Sequence, residues 1–134
     1  MQLLAAIPAL PVRNVDKSIP FYRDVLGLVM RHQDHGFAIF HRDAVEVHLW
    51  QADDESWQTR SPQEPVCSGA ESFIAGTASC RIAVTHVDQL YETLQPHGVI
   101  HPNGQITTTP WGTREFGVTD PDNNLITFFE DISP

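Results

Sequence analysis

The sequence predicts an α+β fold built from two tandem βαβββ modules. Two observations support this prediction: a strand and helix pattern that occurs once in each half of the chain, and alternating strand segments that follow each helix. The first module spans about residues 5–51, a linker covers about 52–76, and the second module spans about 77–132. With 134 residues, of which 41% are hydrophobic, the chain suits a single globular domain.

The repeat is clearest at the start of each module. PVRNVDKSIPFY at 11–22 aligns with AVTHVDQLYETL at 83–94, so that two valines and an aspartate recur at the same spacing. Each segment is typical of a strand followed by a helix. We assign the helix N-caps to Asp16 and Asp88, because a carboxylate at that position can accept a backbone N–H.

Three strands are predicted after each helix. Gly27 and Gly98 follow the last helical positions, where a glycine commonly ends a helix. The segment from Met30 to His32 supplies the second strand of the first module. Among the later strands, FAIF at 37–40 aligns with FGVT at 116–119, and VEV at 45–47 aligns with ITF at 126–128. Between the modules, the linker is longer than an ordinary connection, which is typical of a lid or a mobile segment.

Composition excludes several classes of function. The formal charge of −9 argues against binding to phosphate backbones or anionic membranes and favours cationic or neutral small partners. No apolar run reaches the roughly 18 to 20 residues that a membrane helix needs. Cys67 and Cys80 form neither a metal-type pair nor a disulfide framework, so we expect reduced thiols and a cytoplasmic protein.

Several motifs resemble a known family. FYRDVLGL in the first module and DPDNNLITFFE at the end of the second resemble the vicinal-oxygen-chelate superfamily, which includes glyoxalase I, extradiol dioxygenases and bleomycin resistance proteins. PWGTREFGV and VEVHLW are most similar to the bleomycin resistance branch, whose members bind drug and do no chemistry. The resemblance covers nearly the whole chain. It implies that each module forms a curved sheet whose concave face lines a cavity and whose convex face carries the helix.

The resemblance implies a function as well as a fold. The expected protein sequesters bleomycin-family glycopeptides without modifying them, needs no cofactor, and forms a homodimer with ligand sites at the interface. Pro8 and Pro11 would hold the first strand extended for exchange with a partner chain, or would simply bound an ordinary edge strand. Two alternatives stay open: a metal-dependent enzyme of the same superfamily, namely a lyase, thiol transferase or dioxygenase, and a carrier of another planar metabolite.

Four positions separate an enzyme from a binding protein in this superfamily. The enzymes place one metal ligand on the first strand and one on the last strand of each module. The corresponding positions here are Ile7, Glu46, Ser79 and Thr127. Three of the four are poor ligands beside the imidazole and carboxylate that divalent ions select, so we predict no metal site. A shift of one residue would leave Cys80, Glu46 and His48 as ligands for a soft metal, an arrangement without a carboxylate from the second module.

Alternation along VEVHLW predicts the wall of a ligand site. Glu46, His48 and Trp50 share one face of the strand, and the aliphatic residues between them face the helix. A carboxylate, an imidazole and an indole make a poor hydrophobic core but suit a flat, cationic ligand. The alternative is an ordinary half-exposed strand. Asp53, Asp54 and Glu55 would add acidic charge nearby, unless the run is only a solvated surface.

A second candidate lies in PWGTREFGV. Trp111 stands before Gly112 at the entry to a strand, where we expect it to stack on a ligand rather than cap the core. Arg114 is expected to anchor the hairpin or an acidic neighbour, and the Asp-Pro-Asp-Asn turn to set strand register. Family binders often carry an aromatic residue where this chain has His32 or Arg81, which implies a different grip on the drug's flat heteroaromatic tail. The predicted ligand-binding residues are His32, Phe37, Glu46, His48, Trp50, Arg81, Trp111 and Gly112.

Overall fold

Two compact units make up the chain, and each contains one sheet. A computed structural model describes residues 1–52, 59, 76 and 78–134. The units are Met1–Ala75 and Gly76–Pro134. In both, a strand and a helix precede three further strands, so the predicted α+β class and the tandem βαβββ arrangement are confirmed.

The first unit holds a four-stranded sheet in the order β1-β4-β3-β2. Its elements are β1 (Ala9–Val12), α1 (Val15–Pro20), a π-helical turn (Phe21–Val25), β2 (Val29–Asp34), β3 (Phe37–Arg42) and β4 (Val45–Gln51). The first strand runs parallel to β4, and the other neighbours are antiparallel. The π-helical turn follows Pro20, which has no N–H with which to continue the regular helical ladder. Gly27 then adopts a φ of 73°, as predicted for a residue that ends a helix.

The core of the first unit lies between its helix and one face of its sheet. The fully buried side chains include Tyr22 from the helical segment and Phe40 from β3, whose rings are 5.6 Å apart. Val47 and Leu49 are buried on the same side, as alternation along β4 predicted. Burial of each such side chain stabilises the folded state by about 1.5 to 3 kcal/mol. In each unit we call the sheet face that packs against the helix the near face, and the opposite face the far face.

The second unit repeats this topology with the order β5-β8-β7-β6. Its elements are β5 (Ser79–Ala83), α2 (Val87–Leu94), a 3-10 turn (Gln95–His97), β6 (Thr107–Thr108), β7 (Thr113–Thr119) and β8 (Leu125–Asp131). The first and last strands pair in parallel, again as in the first unit. Phe116, Val118 and Ile126 form the near-face core beside Leu94 of the helix. Gly98 ends the 3-10 turn at a φ of 67°.

The helix N-caps differ from the predicted ones. Asn14, rather than Asp16, caps α1, because its side chain accepts the N–H of Lys17 at 3.2 Å. At α2 the N-cap residue is His86, which has a left-handed backbone and no capping side-chain bond. The carboxylate of Glu130 takes that role and accepts the N–H groups of His86 and Val87 at 3.0 and 3.2 Å. The assignments to Asp16 and Asp88 are therefore wrong by position, although both lie in the first helical turn.

The Asp-Pro-Asp-Asn turn sets the register of β7 and β8, as predicted. Asp120 is almost fully buried, and its carboxylate accepts the N–H groups of Asp122 and Asn124 at 2.9 and 2.8 Å. It also accepts the side-chain amide of Asn124 at 2.9 Å. Asn123 takes a positive φ of 67°, which asparagine tolerates better than most residues. The turn thus fixes Thr119 opposite Leu125 at the start of the ladder.

The two sheets share one hydrogen-bond register, but the last strands do not align as predicted. Leu10 pairs with Leu49, and Ile82, which occupies the place of Leu10 in the second module, pairs with Phe128. Phe128 is therefore the counterpart of Leu49, whereas the predicted alignment of VEV with ITF made it the counterpart of Val47. Because strand patterns repeat every two residues, a shift of two leaves the alternation unchanged, so the sequence alone could not exclude it.

Within the described residues, no helix has the length and apolar character required to cross a bilayer.

Candidate functional site

Four rings come together on the far face of the first sheet. Phe37 lies at their centre: its ring centroid is 4.5 Å from that of Trp50, 5.2 Å from that of His48 and 6.0 Å from that of His32. The His48 ring stands perpendicular to Phe37, and the other two are tilted. We call these four residues the aromatic cluster. It presents flat π surface and imidazole nitrogens side by side, the groups that recognise a planar, polar ligand.

Strand pairing explains why these rings meet. Phe37 stands opposite Trp50 in the β3–β4 ladder, and Ile39 stands opposite both His48 and His32. Directly opposed residues in an antiparallel pair have Cβ atoms about 4.5 to 5.5 Å apart, close enough for ring contact. The side chains of Phe37, His48 and Trp50 are half-buried, and His32 is exposed.

The carboxylate of Glu46 lies beside this cluster and is already paired. It accepts hydrogen bonds from Nη1 of Arg31 at 2.7 Å, and its other oxygen lies 2.9 Å from Nε2 of His48. The carboxylate of Glu46, predicted as part of the wall of the ligand site, therefore shares its charge with the Arg31 guanidinium. Arg31 was not predicted from the sequence. The pairing shift between Met30 and His32 interrupts the alternation of β2, and simple alternation gives no signal for it.

The far face of the second sheet carries a different group. The guanidinium carbon of Arg81 lies 4.6 Å from the centroid of the Phe129 ring. Its Nη2 donates to Oε2 of Glu115 at 2.7 Å, and the hydroxyl of Thr113 donates to the same oxygen at 2.9 Å. The hydrogen bond from Arg81, with help from Thr113, holds the pKa of the Glu115 carboxyl below its usual value. Arg81 was predicted from the sequence, whereas Phe129 and Glu115 were not.

Trp111 and Gly112 lie in the loop that enters β7. The indole of Trp111 is 69% exposed, so it does not cap a core. Gly112 has a φ of 93°, and a Cβ built on it would lie 3.0 Å from the Cβ of Ser133. Only glycine can adopt this positive φ and fit beside Ser133 without strain. The carbonyl of Gly112 accepts the N–H of Ile132 at 2.9 Å, which ties the loop to the end of β8.

Arg114 anchors the hairpin to the helix, as predicted. Its Nε and Nη2 donate to the carboxylate of Asp88 at 2.9 to 3.1 Å, and its Nη1 donates to the hydroxyl of Thr108 at 3.0 Å. The hydrogen bond to Arg114 lowers the pKa of the Asp88 carboxyl. This contact fixes β6, β7 and α2 around the loop that carries Trp111.

The described residues hold no group of three His, Cys, Asp or Glu side chains arranged to bind a metal ion. The observed register makes Leu125 the counterpart of Glu46 and Thr127 the counterpart of His48. Leucine cannot ligate, and a neutral threonine hydroxyl is a poor ligand. Cys80 is a free thiol, and burial raises its pKa to about 11, so it is neutral at pH 7 and a weak ligand. The acidic run Asp53, Asp54 and Glu55 and most of the predicted linker lie outside the described residues.

The predicted residues therefore fall into three places. His32, Phe37, Glu46, His48 and Trp50 meet on the far face of the first sheet. Arg81 lies on the far face of the second sheet, beside Phe129. Trp111 and Gly112 lie in the loop before β7, at the end of the second unit where β8 finishes.

Comparison with known proteins points to one superfamily. The family model described as Glyoxalase/Bleomycin resistance protein/Dioxygenase superfamily matches residues 5–128. A bleomycin resistance protein of Geobacillus stearothermophilus is 53% identical over 130 residues, covering 97% of this chain and 98% of its own.

Solved structures agree on the fold. The bleomycin-binding protein of bleomycin-producing Streptomyces verticillus, complexed with copper(II)-bleomycin, has a TM-score of 0.71 at 24% identity, covering 96% of each chain. A lactoylglutathione lyase of Agrobacterium tumefaciens has a TM-score of 0.72 at 18% identity, covering 94% of this chain and 92% of its own. At such identities the likeness extends to the fold alone, which both a binding protein and an enzyme possess.

Proposed function

The chain belongs to the Glyoxalase/Bleomycin resistance protein/Dioxygenase superfamily, and from that premise we propose that it binds a bleomycin-type glycopeptide and sequesters it without modifying it. The aromatic cluster around Phe37 is the observation that carries the proposal, because half-buried rings on a sheet face are suited to a flat ligand. The relative that is 53% identical over nearly the whole chain is a bleomycin resistance protein, which supports this ligand class.

The charge of the protein suits a cationic drug. A formal charge of −9 attracts a cation over a distance of several ångströms, and aromatic faces then hold it at about 0.5 to 2 kcal/mol per favourable contact. His48 adds direction to the binding. Its Nε2 lies against Glu46, so in the neutral imidazole the proton sits on that nitrogen and Nδ1 can accept a hydrogen bond from the ligand.

The residues at the presumed metal-ligand positions favour binding over catalysis. Of the four positions where the superfamily's enzymes place metal ligands, Ile7, Ser79 and Thr127 offer no imidazole or carboxylate. Only Glu46 has suitable chemistry, and its carboxylate is engaged by Arg31 and His48. The residues present do not fit a catalytic metal, so we propose no chemical step.

We expect a homodimer with two equivalent ligand sites at the interface, in which His32, Phe37, Glu46, His48, Trp50, Arg81, Trp111 and Gly112 contact the drug. The segment before β1, which forms no helix or strand and is mostly exposed, supports exchange of that segment between chains. The site of action is the cytoplasm, where such a protein would capture drug before it reaches its target.

The direct test is a fluorescence titration of the purified protein with bleomycin, followed by mass spectrometry of the recovered drug. We expect saturable binding and an unchanged drug mass. A mass change that depends on the protein would favour the second candidate, a metal-dependent enzyme of the same superfamily. Absence of binding at high micromolar drug would overturn the assigned ligand.

A pair of variants tests whether the aromatic cluster is the binding surface. Phe37→Ala removes the central ring and should weaken bleomycin binding by about tenfold or more, the range of an aromatic hot spot. Tyr91→Ala is the matched control, because its ring packs on Phe116 beside α2, on the near face of the second sheet. The control should lower the melting temperature and leave the affinity of the folded protein unchanged. Equal affinity losses in both variants would argue against the cluster.

A further inference from the structure

The far face of the second sheet holds a flat cation in a fixed position. The guanidinium of Arg81 lies over the ring of Phe129, with its central carbon 4.6 Å from the ring centroid. Guanidinium groups are planar and weakly hydrated, so they stack on aromatic faces more readily than ammonium groups do. Contact with the ring covers one side of Arg81, yet its side chain remains 48% exposed.

A carboxylate prevents this guanidinium from rotating away. Nη2 of Arg81 donates to Oε2 of Glu115 at 2.7 Å, a short, charge-assisted hydrogen bond. Glu115 is itself held, since its side chain is only 15% exposed and Thr113 donates to the same oxygen at 2.9 Å. The hydroxyl of Thr113 also lies 2.8 Å from that of Thr109. Arg81 therefore has a support beneath it and a fixed partner at its edge.

The two sheets differ at the positions around Arg81. In the shared register, Phe129 is the counterpart of Trp50, and Glu115 is the counterpart of Phe37. In the first sheet those positions hold two rings with centroids 4.5 Å apart. In the second sheet a carboxylate occupies the position of one ring, and Arg81 covers the other. A planar cation thus occupies the place where the first sheet has an aromatic surface.

We propose that Arg81, supported by Phe129 and held by Glu115, is a stacking platform for an uncharged, flat heteroaromatic group of the ligand. A cationic group is disfavoured there, because it would meet the positive charge of the guanidinium at close range. A neutral or electron-rich ring is favoured, because it would form the third layer above Phe129 and Arg81. The proposal rests on the proposed function for the identity of the ligand, and it assigns the drug's heteroaromatic tail, rather than its cationic groups, to this surface.

Arg81→Lys tests the platform, because lysine keeps the charge and can still reach Glu115 but has no plane to stack on. We expect bleomycin affinity to fall by about fivefold, with little change in melting temperature. Arg81→Gln, which restores a planar amide without charge, should recover part of the loss. Arg23→Lys is the matched control: Arg23 also pairs with a neighbouring carboxylate, that of Asp24, but has no ring beneath it and lies in the π-helical turn. The affinity of Arg23→Lys for bleomycin should stay within twofold of that of the unaltered protein.

A second probe separates this proposal from the proposed function. An uncharged bithiazole amide represents the flat heteroaromatic tail without the drug's cationic groups. It should bind the unaltered protein weakly, with the absorbance decrease that accompanies ring stacking. Arg81→Lys should abolish that decrease. If the unaltered protein fails to bind bleomycin, the proposed function falls, and the bithiazole comparison alone decides the platform. If Arg81→Lys binds both probes as the unaltered protein does, the platform is wrong and the proposed function stands.

Discussion

Trp111 carries a large apolar ring that packs into no core of the second unit. Its indole is 69% exposed, although the loop around it is tied down by Gly112 and by the bonds of Arg114 to Asp88 and Thr108. An exposed indole on a fixed loop leaves apolar surface in contact with water and adds nothing to the core. It is suited to contact a ligand that arrives from solution.

We therefore predict that Trp111→Ala weakens bleomycin binding by about 2 kcal/mol or more, or roughly thirtyfold, because a stacked indole would be lost. The melting temperature should hardly change, since little of the indole is buried. Fluorescence titration and a melting curve on the same sample measure both quantities. Ile132→Ala serves as control, because it shortens another exposed apolar side chain at this end of the unit. A large drop in stability with unchanged affinity would show a structural role instead.

The ion pair of Glu115 and Arg81 makes a second prediction at this scale. The hydrogen bond from Arg81 lowers the pKa of Glu115, so the folded state favours the ionised carboxylate more than the unfolded state does. The resulting stabilisation is present above the unfolded pKa of about 4.3 and is lost as the pH falls through the lower folded value. Because the Arg81 side chain is half-exposed, this stabilisation stays below about 1 kcal/mol.

The prediction is tested by urea unfolding of the unaltered protein and Glu115→Gln at pH 7, 5, 4 and 3. The difference in unfolding free energy between them should be constant from pH 7 to 5 and shrink below about pH 4.3. A difference that persists unchanged at pH 3 would contradict the assignment of the lowered pKa to this ion pair.

Side-chain positions on regular strands could be read from the sequence, and those at irregularities could not. Alternation alone placed Glu46, His48 and Trp50 on one face, because the side-chain period of a strand is two. Arg31 was missed because the pairing of β2 shifts beside it. Glu115 was missed because its significance depends on Arg81, which is distant in sequence and adjacent only after the strands pair.

At the scale of elements, the helix caps show the same limit. The helices themselves followed from apolar spacing, and Gly27 and Gly98 end the helical segments as predicted. The N-cap of α2 could not be predicted, since Glu130 is far along the chain from the Val87 N–H that it accepts. That of α1 was a local choice between Asn14 and Asp16. Both residues are good caps, and only the backbone conformation at Asn14 decides between them.

The cap of α1 gives an element-scale prediction. Asn14→Ala should lower the free energy of unfolding by about 1 kcal/mol, because the N–H of Lys17 loses its acceptor. Asn14→Ser, which restores a capping oxygen, should recover most of the loss. Asp16→Ala removes a charge that suits the helix dipole and the exposed acceptor of a hydrogen bond from Gln33 at 2.6 Å, and it should cost less than Asn14→Ala, about half a kcal/mol. Urea unfolding at neutral pH measures all three, and a larger cost for Asp16→Ala than for Asn14→Ala would restore the cap predicted from sequence.

At the scale of the whole molecule, the internal repeat is sufficient to predict the fold class. That each half holds one strand, one helix and three further strands followed from the matched segments of the two halves. The alignment of the later strands was wrong by one position for β3 and β7 and by two for β4 and β8, because short apolar segments align nearly as well at neighbouring positions. The error did not affect the predicted absence of a second carboxylate ligand, since neither Leu125, the counterpart of Glu46, nor Thr127, the counterpart of His48, carries a carboxylate.

The segment before β1 leaves two leucine side chains exposed. Residues before β1 form no helix or strand, and Leu3 and Leu4 are 97% and 87% exposed. Pairing with the first sheet begins only at Pro8, whose carbonyl accepts the N–H of His48 at 3.0 Å. Burial of each exposed leucine against a partner chain would contribute about 1.5 to 3 kcal/mol. We therefore predict a homodimer in which these segments are exchanged, and two drug molecules bound per dimer.

Sedimentation at micromolar protein should give twice the mass of one chain, and titration should give one drug per chain. The double variant Leu3→Ser and Leu4→Ser should shift the protein towards monomer and weaken drug binding in parallel, because the sites are expected at the interface. Val29→Ser is the control, since it removes an exposed apolar side chain from β2 without touching the terminal segment. A monomer at micromolar concentration would overturn the prediction. A dimer that survives the double variant would place the contact elsewhere on the chain.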